Sequence, residues 1–387
     1  MRKKALKALP FSYYYWPVVF LAVVGLADSV YLSVSHYRVY TDMAYKSFCA
    51  ISKAINCDTI SQSPYSIFLN LPVPVWGIIG YAFLLLCLAV VARPKNGAIR
   101  LWPIVFWVCL VFSVYSIVLA LISTYLIGSY CIMCIVSYGV NLALLFYAWI
   151  VHRRFSGAGL LEDTRKDLLY LWKTRGRSLA VVLVFCLAAG SAWYFFPAYW
   201  RLQPPRYAGS IATGLTGGGH PWIGSKNPVL EIIEFADYQC FQCKKMHFFL
   251  RELVAAHPEK IRLTHKHYPM DHQFNPIVKQ AFHVGSGKMA LLAIYAASQG
   301  KFWEMNDVLY GVAGRKGAIE IKELAQKVGI DSKELALAMK NPKVRYLLNR
   351  DIILGNQLAI TGTPTFVINN KIYTGHIPPE VFKDIIP

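Results

Sequence analysis

Five runs of about 20 mostly apolar residues constrain this chain more than any other feature of its sequence. They lie near residues 17–36, 73–92, 102–122, 130–151 and 178–197, and no further run follows. A helix of this length crosses roughly 30 Å of hydrocarbon. The composition agrees, because 56% of the 387 residues are hydrophobic, which is more than an ordinary soluble protein carries. The sequence therefore predicts an α-helical membrane protein with five spans and a water-exposed C-terminal part.

Lysine and arginine in the short loops predict how the chain is oriented. Residues 1–7, 93–100 and 151–178 carry fourteen of them and would share one side, whereas residues 37–72 and 123–129 carry three. Because positively charged loops stay in the cytoplasm, we expect a cytoplasmic N-terminus and, with five spans, an exported C-terminal part. Disulfides persist in exported compartments.

The pattern along the chain predicts four parts: a membrane domain (1–155), a cytoplasmic loop with the fifth span (156–200), a linker (201–225) and an α/β domain (226–387). The linker contains Pro-Pro and a Gly triplet, a composition typical of flexible tethers. The net charge is +19. The excess in residues 1–197 is mostly the positive charge of the cytoplasmic loops, and the excess in residues 198–387 favours solubility. No cluster of arginine and aromatic residues indicates a nucleic-acid partner.

The nine cysteines fall into two classes by their positions. Three lie singly inside predicted spans, where a thiol behaves as a small apolar side chain: Cys87, Cys109 and Cys186. Six form three pairs, all on the predicted exported side: Cys49 with Cys57, Cys131 with Cys134, and Cys240 with Cys243. This placement indicates thiol–disulfide chemistry.

The Cys240/Cys243 pair follows a predicted strand and begins a predicted amphipathic helix. Free backbone N–H groups and the helix dipole stabilise a thiolate at such a position, which favours disulfide exchange. The alternatives are a structural disulfide or half of a zinc site. Zinc needs a second ligand pair at suitable spacing, and His247, His265 and His267 do not supply one in sequence, so we expect no metal.

The C-terminal half resembles the DsbA-like branch of the thioredoxin superfamily in "EFADYQCFQCKKM", "GKFWEMNDVLY" and "TGTPTF". About 120 residues, mostly helical in pattern, separate the first motif from the last. The resemblance implies a thioredoxin-like fold with a helical insertion, a cis peptide bond before Pro364, and a backbone contact from Thr363 to substrate. The dipeptide Phe241-Gln242 departs from the Pro-His common in strong oxidants of that family, which leaves the oxidising strength open.

A CxxC pair at the outer end of a membrane helix can meet both a lipid-dissolved redox carrier and thiols in water. The stretches "CIMCIVSYGVN" and "CAISKAINCDTISQSPYSIFLNLPVP" closely resemble the vitamin K epoxide reductase family over about residues 17–150. The resemblance implies a four-helix bundle with Cys131/Cys134 as the active pair and Cys134 facing a quinone.

It further implies that Cys49/Cys57 shuttles electrons from the loop and that Ser63 and Tyr138 contact the quinone. The alternatives are an ordinary loop disulfide, a turn serine and an interfacial tyrosine. Asp28, within the first predicted span, either accepts a hydrogen bond between helices or stays protonated near the quinone.

Taken together, the sequence predicts an enzyme that oxidises thiols of exported proteins and passes the electrons to the membrane quinone pool. The quinone is ubiquinone, menaquinone or phylloquinone, and the sequence does not choose among them. Two alternatives remain at this point: a membrane-anchored disulfide isomerase or reductase, and a peptide-binding module whose disulfides only stabilise the fold.

Overall fold

The structure, a computed structural model, describes residues 9–52, 54–91, 101–156, 159–173, 175–205, 211–313 and 320–383. The basic segments 1–7 and 93–100 used to predict the orientation lie outside these residues. The chain divides into two compact units, residues 1–200 and residues 201–387. Each unit is described by itself below.

The first unit is helical. Its helices are α1 (Ser12–Thr41), α2 (Cys57–Gln62), α3 (Val73–Val90), α4 (Trp102–Ile122), α5 (Ile132–Phe155), α6 (Leu160–Lys173) and α7 (Arg175–Phe195). Two short strands, β1 (Ile67–Phe68) and β2 (Leu71–Pro72), form a small antiparallel hairpin, and a π-helical segment, Ser123–Ile127, extends α4. The predicted cytoplasmic loop thus contains a helix, α6, with acidic residues in its first turn and a lysine in its last.

Three of these helices are long and apolar enough to cross a membrane: Ser12–Thr41, Trp102–Ile127 and Ile132–Phe155. Two shorter apolar stretches, Val73–Ala89 and Leu183–Phe195, lie in α3 and α7. Each of the five predicted spans therefore overlaps a helix of the described chain. That all five cross the membrane stays a prediction.

Helices α1, α3, α4 and α5 pack around one apolar core. Small residues let them approach closely, as is common between membrane helices. At Gly25 on α1, an added Cβ would lie 2.3 Å from the ring of Tyr81 on α3. At Gly77 on α3, it would lie 2.5 Å from the hydroxyl of Ser29 on α1. The α1–α3 contact therefore depends on both glycines.

The second unit is an α/β domain. Its strands are β3 (Thr213–Leu215), β4 (Pro221–Gly224), β5 (Leu230–Ala236), β6 (Ile261–His267), β7 (Thr365–Ile368) and β8 (Lys371–Thr374). Its helices are α8 (Phe241–Ala256), α9 (Ser286–Ser298), α10 (Phe302–Val312), α11 (Ile321–Val328), α12 (Ser332–Ala338) and α13 (Pro342–Gln357). Helices α9 to α13 form the helical insertion between β6 and β7.

The six strands form one sheet in the order β3-β4-β6-β5-β7-β8. Strand β5 is buried in the middle of this sheet, where it runs parallel to β6 and antiparallel to β7. Asn369 and Asn370 turn the β7–β8 hairpin with positive φ angles of 49° and 60°, the conformation that Asn tolerates in two-residue hairpin turns. Because β5 leads directly to α8, the Cys240/Cys243 pair lies at the end of the central strand.

The prediction that residues 201–225 form a linker is wrong for the C-terminal half of that range. Strands β3 and β4 lie inside it and pair with each other, and β4 also pairs with β6. The glycine-rich composition indicated a flexible tether, but Gly219 takes a φ of +80° in the tight turn between these strands. Glycine is common at such a turn as well as in a tether.

Candidate redox site

The loop after α1 carries a disulfide between Cys49 and Cys57, whose Cα atoms are 5.6 Å apart. Cys57 is the first residue of α2. Asn56 caps that helix, because its side-chain oxygen accepts hydrogen bonds from the backbone N–H groups of Asp58 at 3.0 Å and Thr59 at 3.1 Å. The cap therefore fixes Cys57, and with it the disulfide, at the first position of α2.

The second pair lies where α5 begins. Cys131 is the N-cap residue, and its sulfur accepts a hydrogen bond from the backbone N–H of Cys134 at 3.2 Å. Cys131 is buried together with Cys49 and Cys57 in one apolar cluster, which Cys134 borders. The fold therefore brings four of the six paired cysteines together, although up to 85 positions separate them in sequence.

A cavity of about 410 Å³ opens beside Cys131 and Cys134. Helices α1, α3, α4 and α5 enclose it, and aromatic rings of Trp76, Phe112 and Tyr115 line it. Both Ser63 and Tyr138, predicted from the sequence, line this cavity too. The volume lies within the range of small-molecule sites.

A few polar side chains interrupt the apolar wall. Tyr81 donates a hydrogen bond to Oδ1 of Asn141 at 2.7 Å, and Nδ2 of Asn141 donates to Ser116 at 2.8 Å. His36 is buried, and its Nε2 lies 3.2 Å from the hydroxyl of Ser66. The hydroxyl of Ser63 donates to the carbonyl oxygen of Ile60 at 2.8 Å, so it is left to accept hydrogen bonds from a ligand.

The third pair, in the second unit, repeats the capping geometry. Cys240 is the N-cap residue of α8, and its sulfur accepts a hydrogen bond from the backbone N–H of Cys243 at 3.2 Å. The Cys240 thiol donates to the carbonyl oxygen of Thr363 at 3.4 Å. The Thr363–Pro364 peptide bond is cis. The fold thus places Thr363 of the predicted Thr-Pro pair beside Cys240.

Electrostatics distinguish the two sulfurs of this pair. A hydrogen bond from the Cys243 thiol lowers the pKa of Cys240, and the charge of His283 adds to this, although burial and the Asp237 carboxylate oppose it. Burial raises the pKa of Cys243 well above its ordinary value. Of the two sulfurs, Cys240 therefore ionises more readily than Cys243.

His283 is a residue that the sequence prediction missed. Burial opposes its protonation, but a hydrogen bond and the charge of Asp237 raise the pKa of His283, and their side chains are 3.1 Å apart. Asp237 is buried and also accepts hydrogen bonds from Gln239, Met270 and Ser286. The positive charge that Gln242 does not supply thus comes from a loop more than 40 positions away. No motif in the sequence near His283 indicates this role.

The structure also joins two histidines that the sequence prediction treated as unrelated. Nδ1 of His247 lies 2.5 Å and Nδ1 of His265 lies 2.7 Å from Oε1 of Glu234, and all three side chains are buried. These three residues are a possible metal-ligand group. The separations, however, are those of direct hydrogen bonds, and ligands around zinc at about 2.0–2.1 Å from the metal stand farther apart. Glu234 therefore acts as the shared acceptor of a buried hydrogen-bonded cluster.

Comparison with known proteins identifies both units. The vitamin K epoxide reductase family model matches residues 16–149, and a thioredoxin family model matches residues 216–387. The chain joins a vitamin K epoxide reductase domain to a thioredoxin domain. The two matches together cover most of the described chain and fall one in each compact unit.

Several solved structures resemble the thioredoxin domain. A thioredoxin-like oxidoreductase from Silicibacter pomeroyi is 26% identical, with 44% of this chain and 90% of that chain covered and a TM-score of 0.37. BdbD from Bacillus subtilis is 16% identical, covering 46% of this chain and 96% of that chain with a TM-score of 0.35. The thiol-disulfide exchange protein α-DsbA2 from Wolbachia pipientis is 21% identical, covering 43% and 84% with a TM-score of 0.35.

Curated relatives match only in part. A Na⁺/H⁺ antiporter, NhaA 3, from Salinispora tropica is 24% identical over 247 residues, which are 61% of this chain and 34% of that protein. NhaA 1 from Salinispora arenicola is 24% identical over 250 residues, again 61% and 34%. The chain spans about a third of the length of these relatives, and antiport is a property of those proteins.

The cavity of the vitamin K epoxide reductase domain suits a quinone. A quinone ring is flat and apolar with two carbonyl oxygens, and the wall combines aromatic rings with the hydroxyl of Tyr138 and the amide of Asn141. Tyr138 and Asn141 would hold the oxygens, and Trp76 and Phe112 would pack against the ring. When bound, a quinone accepts two electrons and two protons from a dithiol.

Proposed function

We propose that the chain forms disulfides in exported proteins and passes the electrons to a membrane quinone. A substrate thiolate attacks the Cys240 sulfur of the Cys240–Cys243 disulfide, a second substrate thiol resolves the mixed disulfide, and the substrate leaves oxidised while Cys240 and Cys243 become thiols. These thiols reduce Cys49–Cys57, which reduces Cys131–Cys134. Each step exchanges one disulfide for two thiols, so two electrons and two protons move together to the last pair.

One observation carries this proposal. The loop disulfide Cys49–Cys57 packs against Cys131, and Cys131 and Cys134 line the cavity. A disulfide beside a second pair, and that pair beside an apolar cavity, form a continuous path for exchange within the membrane domain.

The proposed sidedness follows from the charge asymmetry of the loops. We infer five spans, a cytoplasmic N-terminus and a thioredoxin domain on the exported side. All six paired cysteines then lie on the side where protein thiols are oxidised. The candidate quinones remain ubiquinone, menaquinone and phylloquinone.

The test uses purified full-length protein, a reduced unfolded protein as thiol donor, and each quinone in turn. We expect one quinol per disulfide formed. Cys134→Ala should abolish quinol formation but leave exchange between Cys240 and substrate intact. Cys186→Ala, which removes an exposed single cysteine on α7, should behave like wild type. Quinol formation by Cys134→Ala at the wild-type rate would refute the assignment.

The alternative function, isomerase or reductase, depends on the reduction potential of Cys240/Cys243. Strong oxidants lie near about −120 mV, disulfide isomerases near about −180 mV and reductases near about −270 mV. The lowered pKa of Cys240 favours the oxidant, since it stabilises the reduced pair. Equilibration with glutathione measures the potential directly, and a value near that of the reductases would exclude the oxidase.

A further inference from the structure

Asp28 is a buried carboxyl group in α1, the first candidate membrane helix. Its Oδ2 accepts a hydrogen bond from the hydroxyl of Ser137 on α5. Its Oδ1 is buried and has no hydrogen-bond partner among the described residues. A carboxyl group within a membrane span is costly and usually functional, so an unpartnered oxygen at this depth requires an explanation.

Asp28 lies next to the cavity. Its neighbour Ser29 and the residue one turn later, Leu32, both line the cavity, and so does its hydrogen-bond partner Ser137. Ser137 is three positions after Cys134, hence on the same face of α5. The only hydrogen of the Ser137 hydroxyl points to Asp28, and its lone pairs remain for a group in the cavity. Ser137 therefore connects the carboxyl group with the cavity beside Cys134.

The chemistry of the last pair needs a group of this kind. When Cys131 and Cys134 form a disulfide, two electrons and two protons leave the two sulfurs. The cavity wall is mostly apolar, so a proton that leaves a sulfur needs a side chain nearby that can accept it and release it again. Of the described residues bordering the cavity by contact or hydrogen bond, Asp28 alone carries a carboxyl group.

We propose that Asp28 is the proton carrier of the membrane site. It takes one of the two thiol protons on its carboxylate as the Cys131–Cys134 bond forms and returns that proton through Ser137 to the cavity. The second thiol proton would pass to the electron acceptor directly from a sulfur that lines the cavity. Asp28 ends as it began, and the dithiol has lost the two electrons and two protons that the quinone gains. This inference rests on the proposed function and adds a residue to it.

The main variant is Asp28→Asn in the full-length protein. Asparagine keeps the size of the side chain and can still accept the hydrogen bond from Ser137, but it cannot transfer a proton. Since a positioned acid–base group contributes about 10²–10⁴-fold, we expect quinol formation to fall by at least about 100-fold. Asp28→Glu should recover a large part of it. Asp42→Asn, which changes a carboxylate at the end of the same helix, should leave the rate unchanged.

A second measurement contains no quinone. Infrared difference spectra of wild type, taken as a soluble reductant converts Cys131–Cys134 to thiols, should show a shift of a carboxylate stretch, because the groups beside Asp28 change from a disulfide to thiols. Asp28→Asn should lack that band, and Ser137→Ala should shift it. A structural role alone would not produce a band that responds to the redox state of the cysteines.

The outcomes separate the two proposals. If wild type forms quinol and Asp28→Asn forms it equally fast, the proton carrier is wrong and the enzyme assignment stands. If wild type forms no quinol with any quinone, the proposed function is wrong, and Asp28 falls with it. A redox-dependent carboxylate band that persists in Asp28→Asn would also overturn the role of Asp28.

Discussion

The double variant Cys49→Ala/Cys57→Ala separates a relay from a structural disulfide. The two cysteines are 8 positions apart. In the chain-entropy model a loop of this length contributes about 2.5 kcal/mol of stabilisation when it is closed by a disulfide. Without the disulfide, the loop loses about this much stabilisation. The test is meaningful only if other contacts still hold the loop in position.

Other contacts hold the loop. The backbone N–H of Asn56 donates to Tyr130 at 2.9 Å, and that of Tyr130 donates to Ala54 at 2.8 Å. The backbone N–H of Ser47 donates to the carboxylate of Asp58 at 3.2 Å. At about 1 kcal/mol net for each hydrogen bond, these three contribute about 3 kcal/mol. Their sum is about equal to the stabilisation that is lost with the disulfide, so we expect the loop of the double variant to remain near its position.

The assay compares two electron donors for quinol formation. With a reduced protein as donor, the double variant should fall to the background rate, because electrons no longer have a path from Cys240/Cys243 to Cys131/Cys134. With dithiothreitol, which is small enough to enter the cavity and reduce the pair at the half-buried Cys134, the rate should remain within a few-fold of wild type. Protein-driven quinol formation at the wild-type rate would show that Cys49–Cys57 only stabilises the loop.

A matched control changes the same loop without touching a cysteine. The hydroxyl of Ser52 accepts a hydrogen bond from the backbone N–H of Ile55 at 3.1 Å. Ser52→Ala removes this bond at a cost of about 1 kcal/mol. We expect it to lower neither rate by more than a few-fold. A protein-driven rate as low as that of the double variant would mean that loop disorder, not lost chemistry, explains both results.

Three further predictions concern the thioredoxin domain and the topology. Because the pKa of Cys240 is lowered, its alkylation rate should stay high as the pH falls below about 8.5, which is the pKa of free cysteine. His283→Ala removes a charge that favours the Cys240 thiolate and should move the midpoint of this pH profile upwards. Cys243→Ala, which blocks resolution, should accumulate a mixed disulfide between Cys240 and Cys57 that peptide mapping identifies, whereas a bond to Cys131 would contradict the order of the relay. A reporter fused to the C-terminus should be active only if exported, and cytoplasmic activity would exclude the proposed orientation.

Much of the fold was predictable because it depends on short-range patterns. The apolar runs, the strand before Cys240 and the Asn369-Asn370 hairpin each follow from residues within about 20 positions of one another. The end of the linker was not predictable in this way. Strands β3 and β4 are short and contain few apolar residues in alternation. Strand β4 pairs with the edge of β6, which is distant in sequence, and β3 pairs with β4.

The candidate redox site was also predictable only where it depends on short-range patterns. Pair spacing and charge asymmetry are local properties, so the sequence by itself determined three cysteine pairs, a membrane domain and an exchange domain. Only the tertiary structure decided that Cys49–Cys57 packs on Cys131, that His283 lies near enough to favour the Cys240 thiolate, and that Ser137 joins Asp28 to the cavity. Each of these contacts depends on how distant helices and loops pack against one another, and a pattern in a single segment carries no record of that packing.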